Sequence, residues 1–181
     1  MLKMSVCSTS DLRPPSEWVV KWISQITPGG RVLDLAAGSG RHTLLLAESG
    51  FVVNAVDRDV SALAELETRQ TVSVLKSDLE QGSWPFKPGE FAGVVVTNYL
   101  HRPLFPHLLN ALADGGVLIY ETFAAGNEVY GKPSNPDFLL QPGELLDVFG
   151  GRLRILGYEE VCLNVPKPAK VQRICGIFSA K

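Results

Sequence analysis

Several features that mark specialised classes of protein are missing from this sequence. No apolar run approaches the roughly 20 residues that a helix needs to cross a bilayer. The first residues, MLKMSVCSTSDLRPPSEW, contain no apolar stretch of the kind found in a signal peptide. We therefore expect a soluble, cytoplasmic protein with no membrane partner.

An excess of positive charge is also missing. The 181 residues include 17 Lys and Arg against 19 Asp and Glu, so the formal net charge is −2. Proteins that bind nucleic acids usually present a basic surface that neutralises phosphates. A nucleic-acid partner is therefore disfavoured, and the composition does not indicate an oligomeric state.

Cysteine is scarce. The three cysteines, Cys7, Cys162 and Cys175, are widely separated in the chain. This spacing fits neither a metal-binding pair nor a disulfide framework. We expect reduced thiols with structural roles, and no metal site is predicted.

The residues that are present favour one ordinary globular domain. Apolar residues make up 45% of the chain and charged residues 20%, which is enough apolar material for a full core. We find no internal repeat and no linker to a second domain, so residues 1–181 are predicted to form a single domain.

The order of the predicted elements is typical of an α/β sheet. Apolar runs rich in β-branched residues predict strands at 31–37, 51–57, 71–78, 91–99 and 115–124. Helical spacing predicts helices at 15–26, 41–50, 59–70 and 103–114. The near-continuous valines of the fourth strand favour a parallel strand that is buried on both faces.

The end of the chain follows a different pattern. Two strand-like runs, at 152–164 and 170–181, have no helix between them. They predict an antiparallel hairpin at about 152–180, at one end of the sheet. The expected fold is therefore a single-domain Rossmann-like α/β sheet, mostly parallel with an antiparallel C-terminal strand, with helices on both faces.

The segment VLDLAAGSGRHT at 32–43 reads as a strand, a glycine turn and a helix start. In a doubly wound sheet, ligands bind at the carboxyl ends of the strands, next to the first such turn. Gly38 and Gly40 let the backbone approach a ligand, and the helix starting near Arg41 offers free N–H groups to an anion. The alternative is that both glycines serve packing alone.

Carboxylates follow the next two strands. Asp57 is placed to accept hydrogen bonds from the two hydroxyls of an adenosine ribose, and Asp78 from an adenine amino group. The alternatives are a surface or helix-entry carboxylate for Asp57 and a helix cap for Asp78. A nicotinamide dinucleotide is disfavoured, because its fingerprint places a third glycine three residues after the second and Gly40 is followed by Arg-His-Thr.

Four motifs in order, DLAAGSG, VD, SD and TNYLH, resemble the class I S-adenosylmethionine-dependent methyltransferases. The resemblance covers roughly residues 15–160. The short chain, GRH after the glycines, and FLLQPGELLDVFG followed by GYEE are similar to the small bacterial methyltransferases of the tellurite-resistance type.

The resemblance implies S-adenosylmethionine as the cofactor and assigns residues to its parts. Asp34, Ala36 and Gly38 would line the methionine part, which Asn98 would border. The ribose would be held by Asp57, the adenine would lie against Asp78 and Leu79, and the expected cofactor site also includes Gly40 and Arg58. The helix at 15–26 would cover the cofactor side.

The resemblance also implies direct in-line transfer of a methyl group to a small-molecule acceptor, such as a thiol or a chalcogen oxyanion. Where the acceptor must lose a proton, His101 and Tyr99 are the expected catalytic residues, and the near-neutral titration of histidine favours His101. The alternative for His101 is a cap or packing residue. Arg102 is expected either to bind an anionic acceptor or to be solvated.

Other residues near the predicted site are open to two interpretations. Arg41 and His42 are expected to be structural or to face the cofactor. The Gly/Pro/Asn-rich segment 124–141 is long enough to cover a site, with the polar groups of Asn127, Glu128, Tyr130 and Lys132, or is a plain surface loop.

Two departures from the family pattern qualify the function. Ala36 stands where the family usually has glycine, which keeps open a non-catalytic module that binds the cofactor without turnover. Residues 98–101 are Asn-Tyr-Leu-His in place of the Asn-Pro-Pro-aromatic motif of nucleobase and amide methylating enzymes. The second departure counts against methylation of nucleobase amino groups.

Overall fold

Seven strands form one sheet in the computed structural model, which describes residues 13–180. In chain order they are β1 (Arg31–Leu35), β2 (Val52–Asp57), β3 (Val72–Lys76), β4 (Phe91–Thr97), β5 (Leu112–Phe123), β6 (Leu153–Leu163) and β7 (Ala169–Phe178). Across the sheet the order is β3-β2-β1-β4-β5-β7-β6. Strands β1 to β5 are parallel, and β7 is antiparallel to both β5 and β6. The predicted fold class is confirmed.

Four α-helices cover the two faces of the sheet. They are α1 (Glu17–Trp22), α2 (Arg41–Glu48), α3 (Phe105–Ala111) and α4 (Glu144–Phe149). Trp18 of α1 and Leu46 of α2 pack into one apolar cluster, whereas Phe105 of α3 and Phe149 of α4 pack into a second. Each helix therefore buries its apolar side against the valine- and leucine-rich strands.

The first helix is shorter than predicted. It begins after Ser16, whose hydroxyl accepts from the Trp18 amide at 3.1 Å, and it ends in a 3₁₀ turn at Ile23–Gln25. The indole N–H of Trp18 donates to the Ile174 carbonyl in β7 at 3.2 Å. This hydrogen bond and the buried indole fix α1 to the sheet.

The prediction of a helix at 59–70 is wrong. The structure has two 3₁₀ turns there, Ser61–Leu63 and Leu66–Thr68, and Asp59 accepts from the Ser61 amide at 3.0 Å. Only Leu63 is fully buried in this charged segment, so packing supplies little of the free energy that a short helix needs.

The helix predicted at 103–114 is also too long. The α-helix ends at Ala111, because the chain from Leu112 onward already belongs to β5, where Leu112 pairs with Phe91 of β4. The ladder between β4 and β5 shifts register after that pair and continues from Gly93 with Val117.

The predicted C-terminal hairpin is present. Its ladder runs from Leu153 opposite Phe178 to Leu163 opposite Ala169. Because Phe123 at the end of β5 pairs with Val171, the loop of the hairpin at 164–168 lies at the carboxyl edge of the parallel strands. This places the hairpin loop beside the edge at which ligands bind in such sheets.

Two of the three cysteines lie in the described part of the chain. Cys162 is exposed, Cys175 is buried, and both are free thiols as predicted. Burial raises the pKa of Cys175 to about 12. Cys7 lies outside the described residues. No helix within residues 13–180 is both long and apolar enough to span a membrane.

Arg102 has a structural role that neither expectation named, because four of its five N–H donors are used within the protein. Its Nε and Nη2 donate to the Glu144 carboxylate of α4 at 2.6 and 2.9 Å. Its Nη1 and Nη2 donate to the carbonyls of Asp137 and Leu139, both at 2.9 Å. The side chain therefore ties the segment 124–141 to α4.

Loss of this tie lowers stability. We expect Arg102→Ala to reduce the free energy of unfolding by about 1–2 kcal/mol. Hydrogen bonds to a charged group stabilise the protein more than exposed ion pairs do, because solvent and salt screen exposed pairs. Arg69→Ala is the matched control, because Arg69 makes only an exposed pair with Glu48 at 3.5 Å. Urea denaturation measures both variants, and equal losses would contradict a structural role for Arg102.

Candidate functional site

A cavity of about 410 Å³ lies at the carboxyl ends of the first four strands. Segments after each of these strands contribute side chains to it, and one more comes from the segment 124–141. The lining consists of Ala36, Val56, Asp57, Arg58, Ser77, Asp78, Leu79, Glu80, Asn98, Tyr99 and Phe138. We call it the acidic cavity, because three carboxylates face one guanidinium.

Asp57 connects two strand ends. Its Oδ2 accepts from the Gly38 amide at 2.8 Å, and its Oδ1 accepts from the Asp59 amide at 3.0 Å. A carboxylate offers about four acceptor positions, so each oxygen can still accept a hydrogen bond from a ligand hydroxyl. The residue thus fixes the glycine turn and remains available to a ligand.

The two glycines of the turn have different roles. Gly38 has a φ of +54°, and a Cβ there would meet only the Ala36 carbonyl at 3.9 Å, so the turn is open on that side. Gly40 has a φ of +78°, and a Cβ there would lie 2.5 Å from Leu66 and 2.8 Å from Leu63. Packing therefore explains Gly40, which does not line the acidic cavity, and its contact with a cofactor stays a prediction.

Two residues that line the acidic cavity have a left-handed backbone. Among the described residues, Ala36 with φ 56° and Asn98 with φ 55° are the non-glycine positions with positive φ. They follow the adjacent strands β1 and β4. Such a backbone costs an L-residue about 1–2 kcal/mol, and strain of this kind is found at binding sites.

Asp34 lies beneath the glycine turn and is 1% exposed. Its Oδ2 accepts from the Thr43 hydroxyl at 2.6 Å. Burial raises the pKa of Asp34 to about 7. The side chain does not line the acidic cavity, so its contact with the methionine part of a cofactor stays a prediction.

His42 has a structural position, which was one of its two interpretations. Its Nε2 accepts from the Ser16 amide at 2.9 Å, so the proton is on Nδ1, which lies 3.1 Å from the Thr97 hydroxyl. Burial, assisted by Arg41, lowers the pKa of His42 to about 3. The ring is therefore neutral at physiological pH.

Asp78 and Leu79 both line the acidic cavity. No helix follows Asp78, whose Oδ1 accepts from the Glu80 amide at 3.0 Å, so the helix-cap alternative is wrong. The predicted contact of these residues with an adenine is compatible with their positions and stays a prediction.

The two expected catalytic residues lie in different places. Tyr99 lines the acidic cavity, and burial together with the nearby Glu80 carboxylate raises its pKa, so the hydroxyl stays protonated at neutral pH. It is thus a hydrogen-bond donor rather than a base. His101 precedes the 3₁₀ turn Arg102–Leu104, to which its side chain makes no capping hydrogen bond. It does not line the acidic cavity, and its catalytic role stays a prediction.

A second cavity, of about 370 Å³, lies on the other side of Asn98. Its lining comes from the segment before α1, the start of α2, and the ends of β5, β6 and β7. The charged residues are Arg13, Glu17, Arg41, Glu121, Lys167 and Arg173. The apolar wall includes Phe123, Leu163, Val165 and Val171. We call it the cationic cavity, and it shares Asn98 with the acidic cavity.

Glu121, whose direction the sequence leaves open, faces the cationic cavity. Its Oε1 accepts from the Ser16 hydroxyl at 2.8 Å, and its Oε2 accepts from Arg173 at 3.3 Å. Arg41 donates to the Pro14 carbonyl at 3.2 Å. The segment before α1 is therefore held in place by polar contacts from both α2 and β5.

The segment 124–141 reaches the acidic cavity with a residue that sequence reasoning missed. Phe138, which is 52% exposed, contributes to the lining, whereas the predicted Asn127 is buried. The Asn127 side chain accepts from the Lys170 amide at 3.1 Å and donates to the Pro133 carbonyl at 3.0 Å. A large apolar residue in a loop rich in Gly, Pro and Asn was the available signal.

The described residues hold no cluster of three His, Cys, Asp or Glu side chains that could bind a metal ion.

Part of the sequence is similar to known methyltransferases. Residues 32–116 match the model of a methyltransferase domain. An uncharacterized methyltransferase of Synechocystis, sll0829, is 36% identical over 93 residues, which are 50% of this chain and 42% of that protein. The chain spans about half the length, or less, of the curated relatives it matches.

Solved structures share the fold. TehB from Haemophilus influenzae superposes with a TM-score of 0.74 at 19% identity, over 89% of this chain and 61% of that chain. A 1,6-didemethyltoxoflavin-N1-methyltransferase of Burkholderia thailandensis was solved with S-adenosylhomocysteine. It superposes with a TM-score of 0.68 at 16% identity, over 90% of this chain and 77% of that chain. The predicted resemblance to class I methyltransferases is confirmed.

Asp34 makes stability depend on pH in a defined direction. Its folded pKa is about 7 against an ordinary 3.8, so its contribution to stability is full below about pH 4. That contribution decreases by at most about 1.4 kcal/mol per pH unit as the pH rises to 7. We therefore expect the stability of Asp34→Asn relative to the wild type to increase progressively from about pH 4 to 7, measured by urea denaturation.

The comparison isolates Asp34. The lowered pKa of His42 contributes the opposite slope, but it does so in both proteins and cancels in the difference between them. A difference that stays constant from about pH 4 to 7 would contradict a raised pKa for Asp34.

Ala36→Gly removes the Cβ from a left-handed backbone. The relief of about 1–2 kcal/mol is partly offset by about 0.4–1 kcal/mol of chain entropy, so we expect roughly 0.5 kcal/mol of added stability. Ala37→Gly is the control, since Ala37 is buried without a positive φ, and we expect it to lose about 1 kcal/mol. Urea denaturation compares the two, and losses of similar size would rule out strain at Ala36.

Proposed function

We propose that this chain, which carries a methyltransferase domain at residues 32–116 on the class I methyltransferase fold, transfers a methyl group from S-adenosylmethionine to a small-molecule acceptor. The observation that carries the proposal is the Asp57 carboxylate, which holds the Gly38 amide at 2.8 Å and keeps acceptor positions directed to the acidic cavity. The cytoplasmic location expected from the sequence is part of this proposal.

The residues present fit the cofactor. Asp57 would accept hydrogen bonds from the ribose hydroxyls, and Asp78, Leu79 and Phe138 would surround the adenine. Gly38, which leaves the turn open, and Asn98, which borders both cavities, would hold the methionine part. Arg41, the first residue of α2, would pair with its carboxylate, since the helix N-terminus also favours an anion.

The carboxylates of the acidic cavity complement the positive charge of the cofactor. A sulfonium group makes the attached methyl a good electrophile, and transfer leaves S-adenosylhomocysteine as product. Asp57, Asp78 and Glu80 provide negative potential on the side where the positive charge lies. This favours the charged donor over its neutral product.

Positioning supplies the catalysis in this proposal. Asn98 borders both cavities, so an acceptor in the cationic cavity would approach the methyl group from the side opposite the rest of the cofactor. Correct alignment of two bound reactants is worth about 7–11 kcal/mol of the barrier. The protonated Tyr99 hydroxyl is available as a hydrogen-bond donor in the wall of the acidic cavity, and the proposal requires no described side chain as a base.

The second candidate is a module that binds S-adenosylmethionine without turnover. Ala36 motivates it, because this residue lines the acidic cavity at the position where the family resemblance implies glycine. Release of S-adenosylhomocysteine during a screen of acceptors distinguishes the two functions. Release that depends on an acceptor supports the enzyme, and cofactor binding without release from any acceptor class supports the module.

Asp57→Asn tests the cofactor site directly. The variant loses the charge and one acceptor oxygen, so we expect the Kd for S-adenosylmethionine to rise about 10- to 100-fold, or about 1.4–2.8 kcal/mol. Isothermal titration calorimetry measures it. Asp147→Asn is the control, since Asp147 is exposed on α4 outside the acidic cavity, and its affinity should match the wild type.

Two results would count against the proposal. Unchanged affinity in Asp57→Asn would remove the ribose assignment. Binding of NAD by a wild-type protein that does not respond to S-adenosylmethionine would remove the cofactor itself.

A further inference from the structure

The cationic cavity has more positive charge than the cofactor requires. Four cationic side chains and two carboxylates line it. Arg173 is neutralised, because it donates to Glu159 and Glu121 and lies over the Trp18 ring at 4.8 Å. A single methionine carboxylate at Arg41 leaves Arg13 and Lys167 to be accounted for.

Neither of these two cations has a carboxylate partner within the described residues. No ion pair within 4.0 Å involves Arg13 or Lys167 among residues 13–180. The positive charge of Arg13 also repels that of the nearby Arg41. Burial lowers the pKa of Arg41, Glu121 raises it, and the positive charge of Arg13 lowers it further. A second anion in the cavity would relieve this repulsion.

The carboxylates of the cavity do not neutralise these cations. Glu121 is 6% exposed, and both of its oxygens are engaged, one with Ser16 and one with Arg173. Glu17 lies in the first turn of α1, where its charge favours the helix N-terminus. Within residues 13–180, no carboxylate therefore pairs with Arg13 or Lys167, and both cations are available to a ligand.

The rest of the wall is apolar. Phe123 and Val171 form a pair across β5 and β7, and Leu163 ends β6 beside them. Pro14 and Pro15 of the segment before α1 also line the cavity. A ligand that fits both features has an apolar body and an anionic group at the rim.

We propose that the cationic cavity binds the methyl acceptor and selects molecules that carry a carboxylate on an apolar body, with Arg13 and Lys167 as the residues that recognise the carboxylate. This inference rests on the proposed function for the identity of the donor. It adds the class of the acceptor and two specificity-determining residues. The cofactor residues Asp57 and Arg41 take no part in this recognition.

The test compares matched probes. 3-Phenylpropionate and its neutral amide, 3-phenylpropanamide, are titrated calorimetrically into the full chain, with and without saturating S-adenosylhomocysteine. We expect the carboxylate to bind at least tenfold more tightly than the amide and its affinity to fall with added salt. In the double variant Arg13→Gln, Lys167→Gln we expect the Kd of the carboxylate to rise at least tenfold, with an unchanged Kd for S-adenosylhomocysteine.

The control variant removes the same two charges elsewhere. Lys87→Gln, Arg154→Gln changes exposed residues at the opposite edge of the sheet, before β4 and at the start of β6, and should bind the carboxylate as the wild type does. Thermal denaturation checks that both double variants remain folded, which the exposure of Arg13 and Lys167 favours.

The outcomes separate the inference from the function on which it rests. Equal affinity for carboxylate and amide, no binding of either probe at millimolar concentration, or wild-type affinity in the Arg13/Lys167 variant would overturn the inference. Failure of S-adenosylhomocysteine to bind would overturn the proposed function, while the comparison of probes in the cofactor-free protein would still decide the selectivity of the cavity.

Discussion

A single neutral imidazole holds the parts of the site together. His42 accepts the Ser16 amide and contacts the Thr97 hydroxyl, so it joins the segment before α1 to the end of β4. Ser16 continues the chain of hydrogen bonds to Glu121, which also accepts from Arg173. Because the ring accepts at Nε2, it serves only in its uncharged form. One wall of the cationic cavity therefore depends on a histidine that burial keeps neutral.

The sheet supplies the other constraint. The strand order reverses between β1 and β4. At this point both strands are followed by a residue with a left-handed backbone, Ala36 after β1 and Asn98 after β4. The sharp turns carry the backbone away from the edge and leave space for a ligand between the two strand ends. Tight packing behind the turn, where Leu63 and Leu66 fill the space beside Gly40, keeps this geometry fixed.

Positions along the chain were easier to predict than contacts between distant segments. The period of the strands placed Asp57 and Asp78 at strand ends, and in a parallel sheet these ends share one edge, so the lining of the acidic cavity was largely predictable. The function of Arg102 was not, because its partner Glu144 lies 42 residues away and only folding brings the two together. The same reason applies to Asn127, whose amide oxygen accepts a hydrogen bond from the Lys170 amide of β7. The segment 59–70 has helical spacing, but what decides its structure is how little of it the core buries.

The two cavities have opposite electrostatic character, and one residue, Asn98, divides them. Carboxylates dominate one side of this boundary and guanidinium and ammonium groups the other, although the whole chain has a net charge of only −2. The carboxyl edge of the sheet thus carries a local electric dipole. Such a field attracts a cationic and an anionic reactant from solution to different sides of the same residue, so each reactant reaches its own side before any specific contact forms.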